Sequence, residues 1–187
     1  MRYSAFIVAT LVAAPAFAQA PAAASPMASP AASANPAVAG VKQTWATMSG
    51  YFTRAAEQLP ESDYGFKPVA TVRSYGEMVG HVAGAQNMIC AAALGEAQKS
   101  EDDIEKSVKT KAGLVAALKA SNEYCAKAYA ISDTDAAGMT KLFGGDVSKM
   151  FALSLNAAHV GEHYGNLVTY LRIKGLVPPS SQPRAGQ

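Results

Sequence analysis

Apolar residues recur every three or four positions in four separate stretches of the chain, and this spacing predicts four amphipathic helices. The stretches cover residues 39–59, 74–94, 110–130 and 146–174, and Pro60 ends the first of them. No stretch shows a convincing alternation of apolar and polar residues. The pattern therefore predicts an all-α protein built as an antiparallel four-helix bundle.

The ends of the second and fourth predicted helices carry capping signals. Ser74 as N-cap and Glu77 three residues later form a capping box, in which each side chain satisfies a free backbone amide of the first turn. Asp146 is predicted as the N-cap of the fourth helix, and Gly175 follows its last turn as a C-terminal cap. Residues 61–73 show no sustained period and are predicted to form a connecting loop.

Composition divides the chain of 187 residues into four parts. Residues 1–18 combine a basic residue, an apolar run and a small-x-small end, which predicts an export signal cleaved after Ala18 and a periplasmic or secreted protein. Residues 19–38 are almost entirely Ala, Pro and Ser, so they are predicted to form a disordered linker. Residues 39–179 are long enough for one domain, and residues 180–187 are predicted to form a flexible tail.

Charge and hydropathy argue against two classes of partner. The chain has 16 basic and 14 acidic residues and no concentrated basic footprint, so nucleic acid is not expected as a partner. The densest charged segment, residues 99–111, mixes Lys with Asp and Glu, and we interpret it as a solvated loop. No later stretch is long and apolar enough to cross a bilayer, which predicts no membrane span in the mature protein.

The two cysteines, Cys90 and Cys125, leave two alternatives open. An exported protein meets an oxidising compartment, in which a disulfide between them could persist. If their helices formed a simple hairpin turning near residue 102, the two residues would be offset by on the order of 15 Å. The Cα atoms of a disulfide lie within about 7 Å of each other. Buried free thiols are therefore the alternative.

All 3 histidines of the chain occupy positions predicted to face the bundle interior. His159 and His163 lie four residues apart in the fourth predicted helix, so both imidazoles project from one face. His81 lies in the middle of the second predicted helix, which is apolar around most of its circumference. Neutral imidazole binds zinc, nickel, copper and iron, and three protein ligands leave a position open for water or substrate. The alternative is that the histidines are hydrogen-bonded core residues.

Metal-bound imidazoles normally donate their second ring N–H to an acceptor that fixes the ring. Asn156 and Asn166 share the face of the two histidines and are candidates for this role. Glu162 is a third candidate, with a surface or interhelical contact as its alternative. Glu77 precedes His81 by one turn, but its capping role already explains it. Aromatic residues at helical spacing are interpreted as core without a function: Trp45, Phe52 and Phe151.

The sequence around the histidines resembles the DinB/YfiT-like family. Residues 159–172 resemble the last helix of that family, and residues 73–77, which lead into His81, resemble the start of its second helix. The resemblance covers residues 41–179, and its most specific part is one histidine followed later by His-x-x-x-His. It implies a four-helix bundle, often a homodimer, with a triple-histidine metal site.

By this resemblance, His81, His159 and His163 are the ligands of a divalent ion, for which we expect zinc or nickel first and iron or manganese as alternatives. Some relatives resemble transferases or isomerases that use a low-molecular-weight thiol. The sequence thus predicts a metal-dependent hydrolase or thiol-transferase-like enzyme that acts on a small molecule. The alternatives are a non-catalytic periplasmic metal-binding or stress-related protein and an interaction module whose histidines belong to the core.

Overall fold

The computed structural model describes residues 34–183. The predicted export signal and most of the predicted linker lie outside these residues, as does the end of the predicted tail. Four long helices confirm the predicted bundle: α1 (Pro36–Gln58), α2 (Tyr75–Leu94), α4 (Lys111–Ala128) and α6 (Lys149–Ile173). Five shorter elements lie between them: a 3-10 helix (Glu61–Asp63) within the predicted loop, helices α3 (Asp103–Ser107) and α5 (Asp133–Ala136), and strands β1 (Met139–Leu142) and β2 (Gly145–Ser148). None of the helices in this part of the chain is long and apolar enough for a membrane span.

The start of α2 agrees with the capping chemistry of the sequence, whereas α1 starts earlier than predicted. The backbone N–H of Ser74 donates to Glu77 Oε2 at 2.6 Å and the N–H of Glu77 donates to Ser74 Oγ at 3.3 Å, which confirms the capping box. Helix α1 begins at Pro36, upstream of the predicted start at residue 39. Proline suits the first turn of a helix because its missing N–H would have no partner there.

Helices α2 and α4 run parallel, so the hairpin assumed for the cysteines is wrong, and so is the prediction that the bundle is antiparallel throughout. Near the first turns of both helices, a Cβ atom on Gly76 would lie 3.4 Å from the side chain of Leu114. Farther along both helices, Cys90 and Cys125 form a disulfide with a Cα–Cα distance of 5.3 Å. The predicted offset does not arise because residues 95–110 return along α2 before α4 begins.

The connector of residues 95–110, which carries α3, packs directly on α2. A Cβ atom on Gly80 would lie 2.8 Å from the Cα atom of Glu105, and one on Gly84 would collide with the carbonyl oxygen of Glu101. The glycines therefore permit a backbone approach that any side chain would block. The interpretation of this segment as a solvated loop is wrong where it faces α2, because the side chain of Glu105 is only 19% exposed.

Helix α6 runs antiparallel to α2, and this arrangement sets the height of the histidines. The hydroxyl of Tyr170 donates to the carbonyl oxygen of Arg73 at 2.7 Å, just before α2 begins. Toward the other end of α2, the amide nitrogen of Asn156 contacts Cys90 Sγ at 3.6 Å. His81 lies between these two contacts, level with the middle of α6.

Helix α6 begins at Lys149, so the prediction of Asp146 as its N-cap is wrong. Ser148 is the N-cap, and its Oγ accepts a hydrogen bond from the N–H of Phe151 at 3.1 Å. Phe151 is 51% exposed, contrary to its interpretation as a core residue, whereas Trp45 and Phe52 are buried as predicted.

A two-stranded hairpin precedes α6, contrary to the prediction that the chain has no strands. Strand β1 pairs antiparallel with β2, and Lys141 forms an ion pair with Asp146 across the strands at 2.8 Å. Phe143 and Gly144 occupy the turn with φ values of 50° and 79°. Positive φ at both central residues is typical of the type I′ turn that suits the twist of a hairpin.

Candidate metal centre

The three histidines converge in the core of the bundle. Nε2 of His159 lies 3.1 Å from Nε2 of His81 and 3.0 Å from Nε2 of His163. Two nitrogens that each lie about 2.0–2.1 Å from one zinc ion are at most about 4 Å apart. The donor atoms are thus close enough to hold one ion.

Helix geometry explains this convergence. His159 and His163 lie on successive turns of one face of α6, and α2 presents His81 to the same face at the same height. Their rings meet edge to face or tilted, with centroids between 4.3 and 5.0 Å apart. His81 and His163 are 5% and 8% exposed, and His159 is half-buried.

Burial favours the neutral form of all three imidazoles. Loss of solvation lowers the pKa of His81 to about 4 and that of His159 to about 3, and it also lowers the pKa of His163. The positive charge of Arg73 acts in the same direction on the pKa of all three rings. Neutral imidazole is the form that binds a metal ion, so the cluster is in its ligand form at neutral pH.

The outer nitrogens of the rings differ in their surroundings. Nδ1 of His163 lies 3.3 Å from the side-chain amide of Asn166, which can present either its nitrogen or its oxygen after a half-turn. The Nδ1 atoms of His81 and His159 are buried and have no hydrogen-bond partner among residues 34–183. A carboxylate oxygen of Glu105 lies 3.8 Å from Nδ1 of His81.

Of the three acceptors predicted on the last helix, only Asn166 contacts a histidine ring. The amide nitrogen of Asn156 instead contacts both sulfur atoms of the disulfide, Cys90 Sγ at 3.6 Å and Cys125 Sγ at 3.7 Å, so that prediction is wrong. Glu162 is exposed and makes no contact with the rings, although its negative charge opposes the lowering of the pKa of His163.

Sequence reasoning missed Glu105, which comes from the segment interpreted as a solvated loop. Its carboxylate accepts from Nε of Arg73 at 3.2 and 3.1 Å, through one oxygen each. The sequence of α2, against which this segment packs, does carry a signal. Gly80 and Gly84 lie four residues apart inside a helix and flank His81, and glycines at such positions indicate the close approach of another backbone.

An open cavity of about 550 Å³ reaches the histidine cluster. His163 and Asn166 of α6 line it together with Arg73 and Glu105. A second cavity, of about 310 Å³, lies beside Tyr124 and has no histidine in its wall. The larger cavity is therefore the candidate route by which a small molecule reaches the cluster.

A sequence profile of the DinB superfamily matches residues 43–167. The chain belongs to the DinB superfamily. The matched range includes His81, His159 and His163, together with Glu105, so the whole cluster and its acidic neighbour lie within the DinB domain. No curated protein matches the chain.

Several solved structures share the DinB fold. A DinB-like protein from Bacillus cereus has 16% identity and a TM-score of 0.64 over 75% of this chain and 95% of its own. A DinB-like protein from Bacillus subtilis has 20% identity and a TM-score of 0.53 over 78% and 99% of the two chains. A mycothiol-dependent maleylpyruvate isomerase has 13% identity and a TM-score of 0.57, over 70% of this chain and 59% of its own. At these identities the likeness shows the fold alone.

Proposed function

We propose that this protein is an exported metal-dependent enzyme that acts on a small molecule at an ion held by His81, His159 and His163. The observation that carries the proposal is the meeting of three Nε2 atoms, with 3.0 and 3.1 Å between neighbours, beside an open cavity. Three neutral imidazoles suit zinc or nickel first, with iron or manganese as alternatives.

The ligand set favours catalysis over a purely structural ion. Structural zinc sites are usually closed by four protein ligands, whereas three ligands leave room for water or substrate. A bound ion would supply Lewis acidity, which lowers the pKa of a water or thiol or polarises a substrate oxygen. The three imidazoles carry no negative charge, so they would leave the charge of the ion available to a ligand that enters by the cavity.

The residues of the cavity wall have distinct roles in this proposal. The amide of Asn166 orients the ring of His163 by its contact with Nδ1. Arg73 offers the guanidinium N–H groups other than Nε to a polar substrate, because only Nε is engaged by Glu105. We therefore expect a small polar substrate.

Two nucleophiles are compatible with such a site. One of the similar structures is a mycothiol-dependent isomerase, which supports a thiol cosubstrate. Export supports water instead, and hydrolysis is our first choice, since low-molecular-weight thiols belong to the cytosol. The disulfide between Cys90 and Cys125 supports export, because disulfides persist in oxidising compartments and are rare in the cytosol. On the strength of the family resemblance, we also propose that the protein forms a homodimer.

Elemental analysis of protein purified without a His-tag tests the site. We expect about one equivalent of metal in the wild type, none when His159→Ala is combined with His163→Ala, and wild-type content in Glu162→Gln, an exposed change on the same helix. Absence of metal from the wild type after incubation with zinc or nickel would contradict the metal site and leave an interaction module.

A screen of ester, amide and thiol-acceptor substrates then tests catalysis. Turnover that disappears with the metal supports the enzyme. Stoichiometric metal without turnover of any substrate class would favour a non-catalytic metal-binding protein.

A further inference from the structure

We propose that Glu105 positions His81 for metal binding by accepting a hydrogen bond from its Nδ1–H. The inference rests on the metal site proposed above and adds to it a residue from outside the four long helices. With the proton held on Nδ1, the lone pair of Nε2 stays directed toward the other two histidines.

Nδ1 of His81 is a buried ring nitrogen that needs a hydrogen-bond partner. His81 is 5% exposed, and its Nδ1 is buried without a hydrogen bond to any of residues 34–183. A buried N–H without an acceptor destabilises the folded state, because it has lost its hydrogen bond to water. Oε2 of Glu105 lies 3.8 Å from this atom, so a movement of about 1 Å would close a charge-assisted bond of about 2.8 Å.

The backbone holds the carboxylate in this place. The Gly80 and Gly84 positions flank His81 on α2, and the backbone of residues 101–105 lies against both. This contact fixes the Cα atom of Glu105 beside the helix that carries the ring. The side chain then spans the remaining distance to Nδ1.

Arg73 fixes the direction of the carboxylate. Its Nε donates to both oxygens of Glu105, at 3.2 and 3.1 Å. An ionised carboxylate offers about four lone-pair sites, so Oε2 can accept from Arg73 and from His81 together. The acceptor is thus oriented before any ion binds.

Two other carboxylates lie near the ring but fit the role less well. Oxygens of Glu101 and Asp102 lie within 4.8 Å of a nitrogen of His81. Asp102 is 37% exposed and is already bound by Lys106 at 2.8 Å. The side chain of Glu105 is 19% exposed, less than that of Asp102, and its ion pair with Arg73 holds it in place.

Metal affinity in a graded series of variants tests the inference. We would measure zinc binding by competition with a chromophoric chelator. Glu105→Met, which removes every acceptor atom, should weaken binding by about 10–100-fold, the usual effect of losing the partner of a metal-bound imidazole. Glu105→Gln, which keeps one acceptor oxygen, should fall between this variant and the wild type.

Two further variants separate positioning from simple docking of α3. Arg73→Met breaks the same ion pair and loosens the carboxylate but keeps the acceptor, so it should weaken zinc binding less than Glu105→Met does. Equal weakening by Arg73→Met and Glu105→Met would show that the ion pair matters only for packing. Asp102→Asn should bind zinc as the wild type does.

The tautomer of His81 gives a second readout, which needs no metal. Nitrogen-15 NMR of the chelator-treated wild type should show the proton on Nδ1 of His81, and Glu105→Met should move it partly or wholly to Nε2. A wild-type ring protonated on Nε2 would overturn the inference.

The outcomes distinguish this inference from the proposed function. A wild type that takes up no zinc contradicts the metal site itself. A wild type that binds one zinc ion no more tightly than Glu105→Met overturns the role of Glu105 alone. A second equivalent of zinc that is lost in Asp102→Asn would also overturn it, because a cation and not a proton would then occupy the outer edge of His81.

Discussion

A Cβ atom on Gly80 would lie 2.8 Å from the Cα atom of Glu105. Real Cβ atoms do not approach another backbone so closely, so the connector can rest on α2 only where α2 lacks a side chain. His81 follows Gly80 directly. The same contact therefore docks α3 and sets the distance between the Glu105 carboxylate and the imidazole.

Substitution of Gly80 should be costly although the residue lies within a helix. Alanine is the better helix former by about 1 kcal/mol, but its methyl group would push the connector away from α2, and overpacking of this kind costs about 1–3 kcal/mol. We expect Gly80→Ala to lower the free energy of unfolding in urea and to weaken zinc binding.

Gly40 provides the matched control for this substitution. It lies within α1, and a Cβ atom added to it would meet no atom of residues 34–183 within 4 Å apart from the nearby backbone of its own helix. Gly40→Ala should therefore raise the free energy of unfolding by about 0.5–1 kcal/mol. If both variants gained stability alike, the connector would not depend on close contact with α2.

Zinc should stabilise the folded protein by mass action. An ion that binds only the folded state adds about 2.7 kcal/mol to the free energy of unfolding at 100 times its Kd. We expect zinc to raise the melting temperature of the wild type, a chelator to reverse the rise, and His163→Ala to abolish it. An equal rise in His163→Ala would point to zinc binding elsewhere on the chain.

The metal-free protein should lose stability as the pH falls below about 6.5. An imidazole in the unfolded chain has a pKa near 6.5, whereas burial lowers the pKa of His81 to about 4 and that of His159 to about 3 in the folded state. Between these values the unfolded chain binds more protons, so acid favours unfolding. Each ring contributes at most about 1.4 kcal/mol per pH unit.

Urea unfolding of chelator-treated protein at pH 7, 6 and 5 measures this effect. Replacement of all three histidines by Gln should flatten the dependence on pH, because the groups that take up the protons are then absent. An unchanged slope in that variant would assign the loss of stability to carboxylates instead.

The parts of this fold that follow from local chemistry could be predicted from the sequence. The capping box of Ser74 and Glu77 marks the start of α2 without reference to any other segment. The spacing of His159 and His163 places both rings on one face of a helix wherever that helix packs. His81 joins them because an apolar helix has to face the core.

The remaining features depend on contacts between distant segments. Phe143 adopts a positive φ that usually belongs to Gly or Asn, so the hairpin turn carries no recognisable sequence signal. Asp146 and Ser148 are both good N-cap residues, and only the pairing of β2 with β1 decides between them. The return of residues 95–110 along α2 depends on Gly80 and Gly84, whose role appears only when the partner backbone is in place.

The disulfide between Cys90 and Cys125 should contribute strongly to stability. The bond joins residues that are 35 positions apart, and a closed loop of that size lowers the entropy of the unfolded chain by an amount worth about 3–4 kcal/mol at 25 °C. We expect Cys90→Ala with Cys125→Ala to lose roughly this much stability in urea. The variant should keep its metal content, because neither cysteine is one of the three proposed ligands, and both sulfur atoms contact the amide of Asn156 instead.

Reduction provides the control for the cysteine variant and connects stability with compartment. A reductant should destabilise the wild type to about the level of the double variant and leave the double variant unchanged. If that holds, the bundle reaches full stability only where the disulfide can form, as outside the cytosol. A wild type equally stable with and without the disulfide would instead mean that the packing of α2 on α4 is enough to stabilise the bundle. The disulfide would then no longer support export.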